Sequence, residues 1–582
     1  MPQLTLPFEI VPVTQSHSKL FQGELYQSLP EAMQEACQEK PHLLEYLNML
    51  PPDELELPQY CVKLDRKMGD RKVRNLIYPV SKEIVIHVFS KLGEERDFYI
   101  AIEPAFSSML TAGGSITEKL AIVEELMLDY SEQLASAETD EAKKKAIVSA
   151  LRSICRVTRK PKPFKNGSGG LFGSFSKAKL EVTKNEFDII QYLSVREKVG
   201  MGILEPMMAD DHIEDISGAG LGPIFIEHKV FKGMRTAMEL VDHAELDGFV
   251  QRLSESIKRP VTMRNPIVDA VLPDGSRINI VYGKEVSARG SNFTIRKFGD
   301  TPLSILELIG FGSLDYRMAA YLSIVLEEGM NTFVAGETAS GKTTLMNAMT
   351  VFVPSSAKVV SIEDTPEVQV PHGNWIREVA RAPGKDEMGA VVTMMDLLKA
   401  ALRQRPNLII IGEIRGEEGA VAFQAMQTGH AVMATFHASS VEKLIQRLTG
   451  NPILVPKTYI DNLNIVVIQS AVKLPNGKIG RRAVSISEIV GYDPVNNSFS
   501  FVEVFRWNQA RDVFEFVGDK NSYLLEEKIA PRRGLPPSRK WEIYKELDKR
   551  ARVLERLHKD KGITGYYELL KVLVKAQQEG LF

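Results

Sequence analysis

The stretch NTFVAGETASGKTTLMNAM (331–349) decides the fold. A short apolar run leads into a glycine-framed loop, and a helix-forming run follows. The loop satisfies G-x-x-x-x-G-K-[ST] with Gly336, Gly341, Lys342 and Thr343. Gly341 lets the backbone come close enough for amide N–H groups to surround a phosphate. Lys342 supplies charge to the β and γ phosphates, Thr343 offers a hydroxyl to Mg²⁺, and the helix N-terminus adds its positive dipole end. The expected binding segment is Gly336, Glu337, Thr338, Ala339, Ser340, Gly341, Lys342, Thr343 and Thr344. Such a loop gives nucleotide binding and leaves the reaction open.

Outward from this loop the pattern repeats. KVVSIED (358–364), LIIIGE (408–413) and AVMATFH (431–437) are short apolar runs separated by helical stretches such as MMDLLKAALRQ. That pattern predicts a parallel sheet covered by helices. Such a sheet binds ligands outside the carboxyl ends of its strands. There the sequence puts Glu363, Asp364 and Glu367 after one strand, and Glu413, Arg415 and Glu417 after another. Glu363 is expected to orient and polarise the attacking water, and Glu413 to join Thr343 around Mg²⁺. Each acid has an alternative reading as a cap of the following helix.

The last run ends in His437 and is preceded by His430. Seven extended residues at ~3.3 Å each separate the two rings by roughly 20 Å, too far to share one ion. His437 is expected at the nucleotide edge, near the γ-phosphate. His430 lies at the opposite end, where a domain or subunit contact is expected.

The 582 residues exceed one core. Formal net charge is −3, so no global basic field argues for nucleic acid, and none is expected as a specific partner. From Lys528 to Lys561 twelve Lys/Arg face five Asp/Glu, a solvated face or a docking surface for acidic lipid or protein. Three scattered cysteines lack CxxC spacing, which argues against a cysteine-based zinc site. The N-terminus has no signal-peptide pattern and no apolar run approaches ~18 residues, so the expectation is a cytoplasmic protein, peripheral at most to a membrane.

Residues 1–158 mix strand-like runs (83–92, 96–104) with amphipathic helices (115–135, 140–157). Residues 159–179, rich in Gly, Ser, Pro and Lys, read as a flexible linker. Residues 180–305 read as a small α+β domain with a hairpin at Asp274-Gly275. Residues 306–582 carry the phosphate loop and the parallel-sheet pattern, then a small antiparallel set and C-terminal helices.

Four boxes in this order, GETASGKTT, SIEDTPE, IIIGEIRGEEG and TGHAVMATFHAS, resemble the Walker A, Asp, Walker B and His boxes of the secretion ATPase superfamily of type II and type IV secretion. FYIAIEP, ILEPMMADDHIEDIS, LPDGSRINI, FTIRKFG, HGNWIREVAR and EVFRWN look like its archaeal branch, which drives archaellum and archaeal type IV pilus assembly. The resemblance implies an α/β fold. A RecA-like P-loop ATPase domain would be preceded by a smaller, PAS-like α+β domain and an N-terminal partner- or platform-binding region. It also implies a homohexamer that hydrolyses ATP with Mg²⁺. Its partners would be a polytopic membrane platform protein and other pilus or archaellum assembly components. By motif position, Arg277 and Arg296 are the arginines expected to reach the γ-phosphate; Arg377 and Arg381 are further candidates. The alternatives are a type IV secretion ATPase moving DNA or protein, and a RecA-type DNA translocase.

Overall fold

Why four apolar runs bind one phosphate loop into a domain is seen in the sheet they build. The structure is a computed structural model describing residues 3–11, 17–110, 115–137, 139–162, 179–299, 301–381, 391–579 and 582. The chain divides into two compact units, Met1–Gly299 and Asp300–Phe582.

In the second unit nine strands form one sheet. Their order is Trp375–Val379, Val359–Glu363, Leu408–Ile414, Ala431–Phe436, Thr332–Gly336, Ile465–Lys473, Ile479–Asp493, Ser498–Asn508, Val513–Phe516. The first six are mutually parallel and the last three antiparallel. Both faces are covered, which is why the strands read as continuous apolar runs. Val334, Val359, Ile410, Met433 and Val467 pack into one helical layer, with Tyr321 and Phe352. Their neighbours Phe333, Val360, Ile409, Val432 and Val466 pack into the other, with Phe423 and Leu444. The parallel α/β class expected from the sequence is the one observed. The expected antiparallel set is present, and its strands extend the same sheet through Ile465–Lys473.

In the first unit an eleven-stranded sheet runs from Ile267–Val271 to Gln59–Tyr60. It joins the two regions that the sequence suggested on either side of residue 170. Phe98–Ile102, from FYIAIEP, lies parallel to Lys232–Leu240. The Asp274-Gly275 hairpin is present, with Gly275 at φ +90° between Ile267–Val271 and Arg277–Val281. The linker expected at 159–179 lies, from 163 to 178, outside the described residues. The strands flanking it, Cys155–Val157 and Leu180–Val182, pair in parallel. Just beyond, helix Lys184–Lys198 starts on a capping box made by Thr183 and Glu186.

A buried acid ties the C-terminal elements to the sheet. Glu488, on Ile479–Asp493, accepts from Tyr321 Oη at 2.6 Å, Ser522 Oγ at 2.6 Å and Leu524 N at 3.0 Å. Much of the basic run 528–561 is used inside the chain. Arg533 and Arg550 share Glu327 and Glu546, and Lys540 bridges Glu526 and Glu527. Among the described residues no helix is long and apolar enough to cross a membrane.

Candidate nucleotide site

Strand Thr332–Gly336 delivers the loop, and helix Lys342–Met349 leaves it. Gly341 precedes the helix at φ +92°, a left-handed conformation that favours glycine, and Ala339 takes φ +60° within the loop. Gly336 is glycine for a different reason. A Cβ there would stand 2.1 Å from the carbonyl oxygen of Gln469 on the neighbouring strand. Lys342 donates to Glu337 O at 2.9 Å, so its ammonium is folded onto the loop. Burial lowers its pKa, opposed by the negative charges of Glu413 and Glu367. A glycine-built cradle, an ammonium at its mouth and two facing carboxylates are a donor set suited to a phosphate and a hard cation.

The strand-end acids differ sharply from one another. Glu363 is only 1% exposed. Its Oε1 accepts from Glu367 N at 2.7 Å and Val368 N at 2.6 Å, and Arg377 Nε stands 3.4 Å from Oε2. Burial raises its pKa from 4.5 to about 7, against the pull of those bonds and of Arg377. The carboxylate expected to be open to water is therefore engaged by the turn that follows it. The exposed acids of that turn are Asp364 and Glu367. The turn is fastened to the loop's helix, because Asn347 Nδ2 donates to Glu367 O at 2.9 Å and Asn347 Oδ1 accepts from Gln369 N at 3.1 Å.

Glu413 sits where the pairing of Leu408–Ile414 with Ala431–Phe436 shifts register between Ile411 and Ile414. Such an irregularity re-aims a side chain at a strand end. Arg415 Nε donates to Glu413 Oε2 at 3.0 Å. Gly412 beside it leaves room for Glu363, whose Cγ would be 3.1 Å from a Cβ at that position. Glu417 is exposed, and it is Glu418 that caps the turn, accepting from Arg415 N and Gly416 N at 2.7 Å each.

His437 follows Ala431–Phe436, and its Nε2 lies 2.7 Å from Thr338 Oγ1 in the loop. His430 precedes the same strand and pairs with Thr428 Oγ1 at 3.1 Å. The two rings thus stand at opposite ends of one strand.

In the first unit, Arg277 and Arg296 are directly opposite on adjacent antiparallel strands. Like charges so placed repel unless neutralised. Arg277 pairs with Asp269 at 2.6 Å, and Arg296 Nε lies 3.5 Å from Asp215 Oδ1. Arg377 faces Glu363, and Arg381 forms a bridge with Val392.

Sequence reasoning missed a cluster in the first unit. Asp210 is buried and accepts from Tyr78 Oη at 2.6 Å, Tyr99 Oη at 3.1 Å and His212 N at 2.9 Å, with His212 Nδ1 at 3.1 Å. His228 stacks on His212, with ring centroids 5.5 Å apart. The spacing would suit a metal ion. The protonation does not. His228 Nδ1 accepts from Val230 N and Phe231 N, so its Nε2 carries the proton that faces Tyr78 Oη at 3.2 Å. The cluster is a polar pin between strands Asn75–Pro79 and Phe98–Ile102 and the segment 205–228. Its signal in the sequence was ADDH, which spacing alone does not interpret.

A phosphate loop at the carboxyl edge of a parallel sheet, flanked by strand-end acids and a histidine, defines a nucleotide-binding domain of RecA-like class. Residues 197–476 match the family described as Type II/IV secretion system protein. An uncharacterised protein of Methanocaldococcus jannaschii is 42% identical over 554 residues, covering 94% of this chain and 97% of its own length. The type IV secretion system protein VirB11 of Brucella suis biovar 1 is 29% identical over 325 residues, covering 50% of this chain and 88% of VirB11. The crystallised ATPase DotB of Legionella pneumophila is 17% identical, with a TM-score of 0.36, covering 67% of this chain and 95% of DotB. The chain belongs to the type II/IV secretion system protein family.

Proposed function

We propose that the protein is an Mg²⁺-dependent ATP hydrolase that powers filament assembly at a membrane, as an archaellum or type IV pilus motor. The observation that carries the reading is the hydrogen bond from the phosphate loop to His437. It couples the strand that would sense the γ-phosphate to the loop that would bind it. Thr343 and Glu413 would hold Mg²⁺, which neutralises phosphate charge when bound. Lys342 leaves Glu337 O to meet the β and γ phosphates, and the amides from Glu337 to Thr344 enclose them. Glu363 would accept the proton released as the water attacks. Its raised pKa suits a proton acceptor near neutral pH. Arg277 and Arg296, now paired with Asp269 and Asp215, would exchange those partners for the transferring phosphoryl group. Domain closure on the nucleotide and reopening after hydrolysis would move the partner-binding residues 1–158.

In this reading the working particle is a homohexamer, peripheral to the cytoplasmic face of the membrane, acting on a polytopic platform protein. A type IV secretion motor is the second reading, favoured by the similarity to VirB11. Phosphate release from Mg-ATP by the full chain tests the activity. Lys342→Ala is expected to abolish it, and unaltered turnover in that variant overturns the reading. Particle mass with and without an ATP analogue tests for six subunits.

A further inference from the structure

The strand beside the phosphate loop runs past it. Ile465–Lys473 pairs with Thr332–Gly336 only as far as Gln469, opposite Gly336. Its last residues continue beyond the sheet's carboxyl edge, held by Ile479–Asp493, in which Arg481 is opposite Ala471. Two further residues at ~3.3 Å each lift Arg481 to the height of the loop. Alternation along the strand sends Arg482 and Arg481 to opposite faces. Arg482 is buried and paired with Asp512 at 2.8 Å. Arg481 is exposed, and its Nε donates to Ala339 O at 3.2 Å. A Cβ on Gly341 would meet Arg481 Cδ at 3.2 Å. The side chain thus lies along the Ala339–Gly341 segment.

Its charge is unusual here. Arg377, Arg415 and Arg482 each have a carboxylate partner. Among the described residues, Arg481 has no carboxylate within ion-pair distance, and a loop carbonyl is its hydrogen-bond partner. A second polar group waits on the same side. Gln469 is 2% exposed, and its Nε2 bonds Ser313 Oγ at 3.0 Å. Its Oε1 is buried without a hydrogen bond.

We infer that Arg481 is a nucleotide-contacting residue that binds the α- and β-phosphates of a nucleoside di- or triphosphate from the side of the loop opposite Glu413 and His437. The inference rests on reading the loop as a nucleotide site. In the sheet, Leu408–Ile414 and Ala431–Phe436 flank the loop's strand on one side, and Ile465–Lys473 and Ile479–Asp493 on the other. Groups on the first side meet the γ-phosphate. A guanidinium on the second side meets the phosphates that ATP and ADP share, exchanging its bond to Ala339 O for a bidentate bond to phosphate oxygens.

The test is calorimetric titration of the full chain and its variants with Mg-ADP and with a non-hydrolysable Mg-ATP analogue, at several salt concentrations. Arg481→Ala is expected to weaken both ligands alike, by about tenfold, and to flatten the salt dependence of Kd. Arg481→Lys keeps charge without the planar fork and is expected to lose about threefold. In turnover, KM for ATP rises more than kcat falls. Unchanged ADP affinity in Arg481→Ala, or a loss confined to the ATP analogue, overturns the inference. A Kd change that is independent of salt makes Arg481 a mere clamp on the loop, which also overturns it. Lys342→Ala separates the two readings. If it loses both ligands while Arg481→Ala loses neither, the nucleotide site stands and the arginine's role falls. If Lys342→Ala binds normally, the site itself falls.

Discussion

Replacing Glu363 by glutamine is expected to raise stability while removing activity, and the sizes follow from its surroundings. Its pKa is raised because burial disfavours the charged form, which the bonds from Glu367 N, Val368 N and Arg377 only partly offset. A carboxyl raised in the folded state is no burden below its ordinary pKa, and costs stability as pH climbs through the folded value. The cost is therefore absent below 4.5 and complete above about 7. The difference is worth about 3 kcal/mol at most, at 1.36 kcal/mol per unit. Glutamine is never charged. Its amide oxygen can keep both backbone N–H bonds, but its NH₂ turns toward Arg377 Nε, which loses an acceptor at a cost of about 1 kcal/mol. The net expectation is a variant more stable than the parent by about 2 kcal/mol at pH 8 and less stable by about 1 kcal/mol at pH 4. Denaturant unfolding from pH 4 to pH 8 reads this, following the transition that shifts with added ADP, since a chain of two units need not unfold in one step. Phosphate release is measured in parallel, and it should be lost while nucleotide binding persists. A stability difference that does not change with pH would refute the buried-charge reasoning, and normal phosphate release would remove Glu363 from the chemistry.

Other perturbations separate binding, sensing and scaffolding. Glu413→Ala is expected to abolish turnover and to weaken Mg-ATP more than metal-free ATP, read by titration with and without Mg²⁺. His437→Ala breaks the bond to Thr338 and should reduce the preference for an ATP analogue over ADP, with Thr338→Val giving the same loss in smaller measure. Tyr321→Phe leaves buried Glu488 one donor short and should cost about 1–3 kcal/mol of unfolding free energy, with turnover per folded molecule retained. Asp210→Asn keeps the shape of the pin but sets an NH₂ against its tyrosine and histidine donors. Hydrogen exchange should accelerate in strands Asn75–Pro79 and Phe98–Ile102, and unchanged protection there would refute the pin.

How much of the fold could be read in advance follows from how each strand is buried. The strands around the phosphate loop are covered on both faces, so TFVAG, VVSIE, LIIIGEI and AVMATF announce themselves as apolar runs. Trp375–Val379 lies at the sheet's edge, half-buried up to an exposed Val379, and its charged Arg377 and Glu378 hid it. Ile465–Lys473 has five buried residues and then an alternating exposed tail, two patterns within one element. The joining of the N-terminal strands to Lys232–Leu240 was not legible, because parallel pairing between distant segments leaves no local mark.

The site shows the same division between what spacing encodes and what packing decides. The loop was legible from its framing residues, since Gly336, Gly341, Lys342 and Thr343 in GETASGKTT are the types that a strand-to-helix phosphate loop calls for. The carboxylates were legible as a group, because a strand end is the one place where an acid can follow an apolar run and still reach the ligand edge. Which acid does what was not. Glu363 and Glu367 sit on one turn, four residues apart, with the same chemistry. Only the fold makes one buried, with a pKa near 7, and leaves the other exposed beside Lys342's field. Because Glu363 holds the amides of Glu367 and Val368, and Asn347 holds the same turn to the loop's helix, a change of charge at Glu363 is felt at both. Arg481 was invisible for a related reason. It comes from a strand more than a hundred residues beyond the loop, and nothing in RRAVSIS marks which arginine faces inward to Asp512 and which outward to Ala339. Strand alternation decides that, and it does so only once the register with Ile465–Lys473 is set.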